Sequence, residues 1–169
     1  MRFPIIAAAL FLSAGVAYAQ GTSVTTNILN NKGAAIGTVE LKGGNNGTVL
    51  RVQLKAGALT PGWHGIHLHA NGDCSDHAKF VASKGHVNHA KKKHGLLNAE
   101  GPDEGDLPNI FANADGSVNA ELATRTLMSG AQGLKDADGS AIVIHANADD
   151  HNAQPIGGAG ARVACGVIK

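Results

Sequence analysis

Apolar and polar residues alternate in short runs along most of the chain, and no long segment after residue 19 carries apolar positions at helical spacing. The alternation predicts strands at Ser23–Asn30, Ala35–Lys42, Thr48–Lys55, His64–His69, Asn109–Asn113, Ser117–Thr124, Ala141–Asn147 and Arg162–Ile168. Asn-Gly and Asp-Gly steps mark several of the turns between them. Eight short strands predict an all-β chain, folded as a sandwich or flattened barrel.

Two stretches break this rhythm. Ala70 to Pro108 and Ala148 to Ala161 are rich in Gly, Asp, Asn, His or Lys and are far longer than hairpin turns. Connections of that length in a compact domain are usually functional or disordered, and the histidines in them favour function. At the start of the chain, Arg2 precedes an apolar run from Ile5 to Val16, and Ala17-Tyr18-Ala19 supplies the small residues of a cleavage site. Residues 1–19 are therefore read as a leader for export, and 20–169 as one domain. The apolar run is too short to span a bilayer, so no membrane anchor is expected after cleavage.

Charge narrows the range of partners. Removing the leader takes away Arg2 and leaves 13 basic and 13 acidic residues, a balance that attracts neither nucleic acid nor a membrane surface. Lys91-Lys92-Lys93 is the one basic run and reads as a solvated loop. The only cysteines, Cys74 and Cys165, both lie in the exported part, where thiols oxidise. A disulfide is the favoured reading, with two buried thiols as the alternative.

Nine histidines are many for 169 residues. In the predicted strand His64–His69, His67 and His69 share one face, and His64 points to the other. Taken alone, such a pair also fits two exposed side chains. His86 and His94 follow in the long loop, ahead of Asp103 and Asp106, while His145 interrupts the apolar run Ala141–Ile144. An imidazole in so apolar a run needs a partner, either a metal or a hydrogen bond.

The segments HGIHLHANGDC, GHVNHAKKKHGLLNAEGPDEGDLPN, IVIHANADD and GGAGARVACGVI resemble, in order and spacing, the copper/zinc superoxide dismutase family. The likeness covers essentially all of the chain after the leader, and the GDLPN and DDHNAQPIGGAG wording is similar to the exported bacterial branch. It implies a Greek-key barrel with two functional loops, a periplasmic location and superoxide as substrate. Copper would be held by His67, His69, His86 and His145, with His86 shared with zinc and carrying a proton in catalysis. His94 and Asp106 match further zinc ligands, and one copper and one zinc per chain are expected. Arg162 matches the arginine beside the open copper position, and Asp149 the carboxylate joining a copper histidine (His67) to a zinc histidine (His94). His64 matches a histidine that supports the copper site from behind, and Cys74 and Cys165 match the family's disulfide.

One position departs from the pattern. A third zinc histidine is usual three residues before the zinc aspartate, and here Asp103 stands there. Either Asp103 coordinates in its place, which requires a closer backbone because aspartate is shorter, or zinc binds weakly and the enzyme is copper-only. A periplasmic copper carrier on the same fold is the rival function, and a purely structural sandwich the third. His77 and His89 are read as exposed loop residues, His151 and Trp63 are assigned no role, and both monomer and homodimer stay open.

Overall fold

The computed structural model describes residues 21–169, so the expected leader, residues 1–19, lies outside the described residues. β1 (Ser23–Asn30), β2 (Ala35–Gly44) and β3 (Gly47–Leu54) form an antiparallel meander. In β3 the alternation is strict: Thr48, Leu50, Val52 and Leu54 are buried, and Val49, Arg51 and Gln53 face water. Successive side chains leave a strand on opposite sides, so the sequence pattern becomes one core face and one wet face.

The remaining strands are β4 (Gly62–His64), β5 (Ile66–His69), β6 (Ile110–Ala112), β7 (Val118–Thr124), β8 (Ser140–His145) and β9 (Arg162–Ile168). Seven strands lie in the order β5-β8-β9-β1-β2-β3-β7, and β4 pairs with β6. β3 thus pairs with β7 rather than with its successor, and β9 returns beside β1, giving the Greek-key crossing of a curled antiparallel sheet.

The single strand predicted at His64–His69 is divided at Gly65. There the chain leaves β6 and joins β8: the Gly65 N–H donates to the Asn147 carbonyl at 2.8 Å, and the Gly65 carbonyl accepts from the His145 N–H at 2.8 Å. A Cβ at Gly65 would sit 2.9 Å from that of Ala159. A strand that changes partners turns the corner of the barrel, so β4 and β5 are two halves of one of the eight expected strands.

Every residue of β8 is buried. Ile142 and Ile144 join the main core, which also holds Leu50, Ile66, Leu68 and Ile168. Ala141 and Val143 face a second, smaller cluster with Phe80, Cys74 and Cys165. The long loop 70–109 therefore covers the outer face of β8 with its own apolar side chain, and a disulfide between Cys74 and Cys165 ties that loop to β9.

A third connection, residues 125–139, is nearly as long as the loop 146–161. It folds back on itself through bonds from Leu134 N–H to Leu127 O (2.8 Å) and from Lys135 N–H to Met128 O (2.9 Å). Met128 and Leu134 are buried in the main core, so this segment closes the barrel rather than serving the histidines.

Candidate metal centre

β5 carries Ile66 and Leu68 into the core and turns His67 and His69 to the opposite face, as their parity requires. β8 pairs with β5 and ends in His145, so three imidazoles meet across one ladder. His67, His69 and His145 bring one nitrogen each within 4.8 Å of one another, and all three are buried.

The other nitrogen of each ring has a partner. His67 Nε2 donates to Asp149 Oδ2 at 2.7 Å, His69 Nδ1 to the Lys84 carbonyl at 2.8 Å, and His145 Nδ1 to the Gly160 carbonyl at 3.0 Å. Those bonds leave His67 Nδ1, His69 Nε2 and His145 Nε2 buried with no partner among the described residues. A carbonyl or carboxylate only accepts, so each ring keeps its proton on the outer nitrogen and presents a bare lone pair inward. Burial, the main cause, and neighbouring imidazoles push all three below the ordinary histidine range, His69 well below and His145 to about 4. Neutral imidazoles are the form that ligates a metal.

His86 stands beside this trio rather than inside it. Its ring centroid is 4.3 Å from that of His67 and 5.2 Å from that of His69. Its Nε2 is a fourth unpartnered buried nitrogen, while its Nδ1 faces Asp103 Oδ2 at 3.0 Å and Asp106 Oδ1 at 3.5 Å. The ring thus has one nitrogen free and the other turned to the carboxylates.

Those carboxylates belong to a second group. His86, His94, Asp103 and Asp106 bring one atom each within 4.8 Å of one another. The turn carrying the two aspartates lies against β5, with Leu68 N–H donating to the Gly105 carbonyl at 2.9 Å. A Cβ on Gly105 would stand 2.4 Å from the Leu68 carbonyl oxygen, so only glycine permits this approach. Asp103 N–H donates to Asp106 Oδ2 at 3.0 Å, and Gly105 N–H to Asp103 Oδ1 at 2.9 Å. The Asp103 carboxylate is buried.

His94 lies between two acids. Its Nε2 donates to Asp149 Oδ1 at 3.1 Å, and its Nδ1 faces Asp106 Oδ1 at 2.5 Å without forming an aligned hydrogen bond. Burial opposes the charged ring, yet the close contacts and charges of Asp106 and Asp149 prevail and raise His94 to about 10. Burial likewise opposes ionisation of Asp106 and Asp149, but histidine contacts hold both well below the usual carboxylate range. Three buried acids around two imidazoles call for a cation, and without a metal His94 takes a proton instead.

Asp149 joins the two groups through His67 and His94. Its backbone is held by Asn109, which donates from Nδ2 to the Asp149 carbonyl (2.8 Å) and accepts from the Asp149 N–H (2.9 Å). Gly157 packs so close that a Cβ there would fall 1.6 Å from Asp149 Oδ1.

Arg162, at the start of β9, is half-buried beside the trio. Its Nη1 donates to the Phe80 carbonyl at 2.7 Å and to Ser83 Oγ at 3.0 Å. Nη2 and Nε have no hydrogen-bond partner among the described residues. Three of the four non-glycine residues at positive φ bond directly to site side chains: Phe80 to Arg162, Lys84 to His69 and His151 to Asp149. Such backbone strain gathers where a site must be held.

His64 is buried outside both groups, its nitrogens 2.7 Å from the His145 carbonyl and 2.8 Å from the Thr60 carbonyl. It braces the backbone of His145. His89 is exposed as expected, whereas His77 is half-buried against Phe80 and Gly33. Asn109 and Gly157 fall inside the segments GDLPN and GGAG, yet their residue types alone point to no role, and Ser83 is a lone hydroxyl with no pattern around it.

Residues 35–168 match the family model described as copper/zinc superoxide dismutase (SODC). A Caulobacter vibrioides protein named Superoxide dismutase [Cu-Zn] is 50% identical over 152 residues, covering 87% of this chain and 86% of that one. Among solved structures, a Bacillus subtilis SOD-like protein superposes with TM-score 0.80 at 33% identity, over 86% of this chain and 97% of that one. The Cu/Zn superoxide dismutase from Brucella abortus superposes with TM-score 0.70 at 32% identity, over 88% of this chain and all of that one.

Proposed function

The chain belongs to the copper/zinc superoxide dismutase family, and on that premise we propose that it converts superoxide to oxygen and hydrogen peroxide in the periplasm. Copper would be held by His67, His69, His86 and His145, and zinc by His86, His94, Asp103 and Asp106. The observation that carries this reading is the set of four unpartnered buried nitrogens, His67 Nδ1, His69 Nε2, His86 Nε2 and His145 Nε2. Two imidazoles and two carboxylates likewise suit zinc, which accepts both nitrogen and oxygen donors.

Bound there, copper supplies a one-electron redox change and zinc a fixed positive charge. The chain does the rest. Asp149, Lys84 O and Gly160 O lock three rings in the tautomer that offers a lone pair inward. Arg162, held by Phe80 O and Ser83 Oγ, keeps Nη2 and Nε for a small anion, and so attracts and orients superoxide. His86, with Nε2 buried and unpartnered and Nδ1 turned to Asp103 and Asp106, is the ring placed to hold and pass a proton at Nε2 whenever that nitrogen is not serving as a ligand. A leader at residues 1–19 and a disulfide at Cys74–Cys165 fit an oxidising compartment outside the cytoplasm.

The test is metal content by elemental mass spectrometry on exported protein supplied with both metals, together with superoxide decay after a radiolytic pulse. One copper and one zinc per chain with rapid decay is expected. Copper without zinc would make this a copper-only enzyme, and copper with negligible decay a carrier.

A further inference from the structure

His94 lies in irregular chain and belongs to no strand, so no ladder fixes its backbone. The next residue, Gly95, is at φ +118, and a Cβ there would fall 2.3 Å from the His151 carbonyl oxygen. The loops 70–109 and 146–161 press together at this point. Leu97 N–H donates to the His151 carbonyl at 3.0 Å, and Asn98 Nδ2 to the His94 carbonyl at 3.1 Å.

One side chain takes both backbone groups of His94. Gln154 Oε1 accepts from the His94 N–H at 3.1 Å, and Gln154 Nε2 donates to the His94 carbonyl at 2.8 Å. A peptide N–H only donates and a carbonyl only accepts, so this pairing also fixes which end of the amide is oxygen. At the ring, Asp149 Oδ1 accepts from His94 Nε2 at 3.1 Å and also from the His151 N–H at 2.7 Å, and Gln154 Nε2 donates as well to the Asn152 carbonyl at 3.0 Å.

We propose that Gln154 is a positioning residue for the zinc side of the centre, holding the His94 backbone so that Nδ1 stays aimed at Asp106. It supplies the two bonds that a neighbouring strand would otherwise give. The inference rests on reading His86, His94, Asp103 and Asp106 as the zinc site. Gln154 is itself exposed, so its replacement leaves the core intact.

The experiment follows zinc release into a chromophoric chelator from copper- and zinc-loaded wild type, Gln154→Ala and Gln154→Met. Methionine keeps the length of glutamine and makes neither bond. Both variants are expected to lose zinc roughly tenfold faster, the low end of the range for outer partners of metal ligands. Cobalt in place of zinc should show a shifted visible spectrum in both, and the urea midpoints of the metal-free proteins should coincide with wild type. Wild-type release from both variants, or from Gln154→Met alone, overturns the proposal, as does a matching fall in metal-free stability. A wild type that takes up no zinc overturns the site reading itself, a failure that appears before any variant is compared.

Discussion

Asp103 Oδ2 lies 3.0 Å from His86 Nδ1, with both side chains buried. The carboxylate therefore stands where the family pattern calls for an imidazole, beside the ring proposed to serve both metals. Replacing it tests whether it is a ligand. Asp103→Ala should weaken zinc by more than the roughly 10- to 100-fold that loss of an outer partner costs, and Asp103→Asn, which keeps a carbonyl oxygen but no charge, by less than Asp103→Ala. Chelator competition followed by elemental analysis measures this, and unchanged zinc affinity in Asp103→Ala would remove it from the ligand set.

Gly157 and Gly158 separate crowding from backbone strain. Both are at positive φ, but only at Gly157 would a Cβ meet the Asp149 carboxylate, while nothing lies within 4 Å of one at Gly158. Gly158→Ala should cost about 1–2 kcal/mol of stability and little else. Gly157→Ala should also displace Asp149 from His67 and His94, lowering metal retention and superoxide decay roughly tenfold or more. Equal metal content and rate in the two variants would refute the steric argument.

The metal-free protein should be most stable near pH 6.5. His145, depressed by burial to about 4, contributes stability that is present above pH 6.5 and lost as pH falls toward 4; His67 and His69 act in the same direction. At ~1.4 kcal/mol per pH unit of displacement, His145 alone accounts for on the order of 3 kcal/mol. His94, raised to about 10 by Asp106 and Asp149 against the opposing effect of burial, contributes stability present below pH 6.5 and lost as pH rises through 10. Urea melts from pH 4 to 10 check both limbs, and loading zinc should flatten the alkaline one.

Arg162→Ala should slow superoxide decay by roughly 10- to 100-fold in copper-loaded protein, the worth of one hydrogen bond to a charged group. The rate should also lose much of its dependence on salt, since steering by a partly exposed charge is screened. Arg162→Lys should fall between, because an ammonium cannot hold Phe80 O and Ser83 Oγ while also presenting a planar fork. Pulse radiolysis at several ionic strengths reads all three, and a wild-type rate in Arg162→Ala would strike Arg162 from the mechanism.

The sequence was most informative where one periodicity governs. β1 and β9 match their expected bounds, β1 with exposed and part-buried positions alternating over its first half and β9 as a short, mostly apolar run. The break at Gly65 was not visible, since what divides β4 from β5 is a change of partner rather than a change of pattern. Among the histidines, no single position was decisive. His145 by itself reads as a core histidine satisfied by a hydrogen bond, until strand pairing sets it beside His67 and His69. Asp103 could be suspected from its place, but whether it reaches the group depends on Gly105 lying against the Leu68 carbonyl. Gln154 was unreadable, because an amide that grips a distant backbone looks like any other loop amide.

His67 and Asp149 are 82 residues apart, and Cys74 and Cys165 are separated by 91. The proposed copper set is drawn from β5, β8 and the loop 70–109, so it is complete only once β5 has paired with β8, a non-local pairing of the kind that forms slowly. The proposed zinc set of His86, His94, Asp103 and Asp106 lies within that one loop. On the nascent chain the copper donors are therefore scattered, while the zinc donors are near neighbours in sequence. Copper is therefore expected to enter a barrel already formed, so that its supply bears on how long the folded protein lasts more than on whether the chain folds.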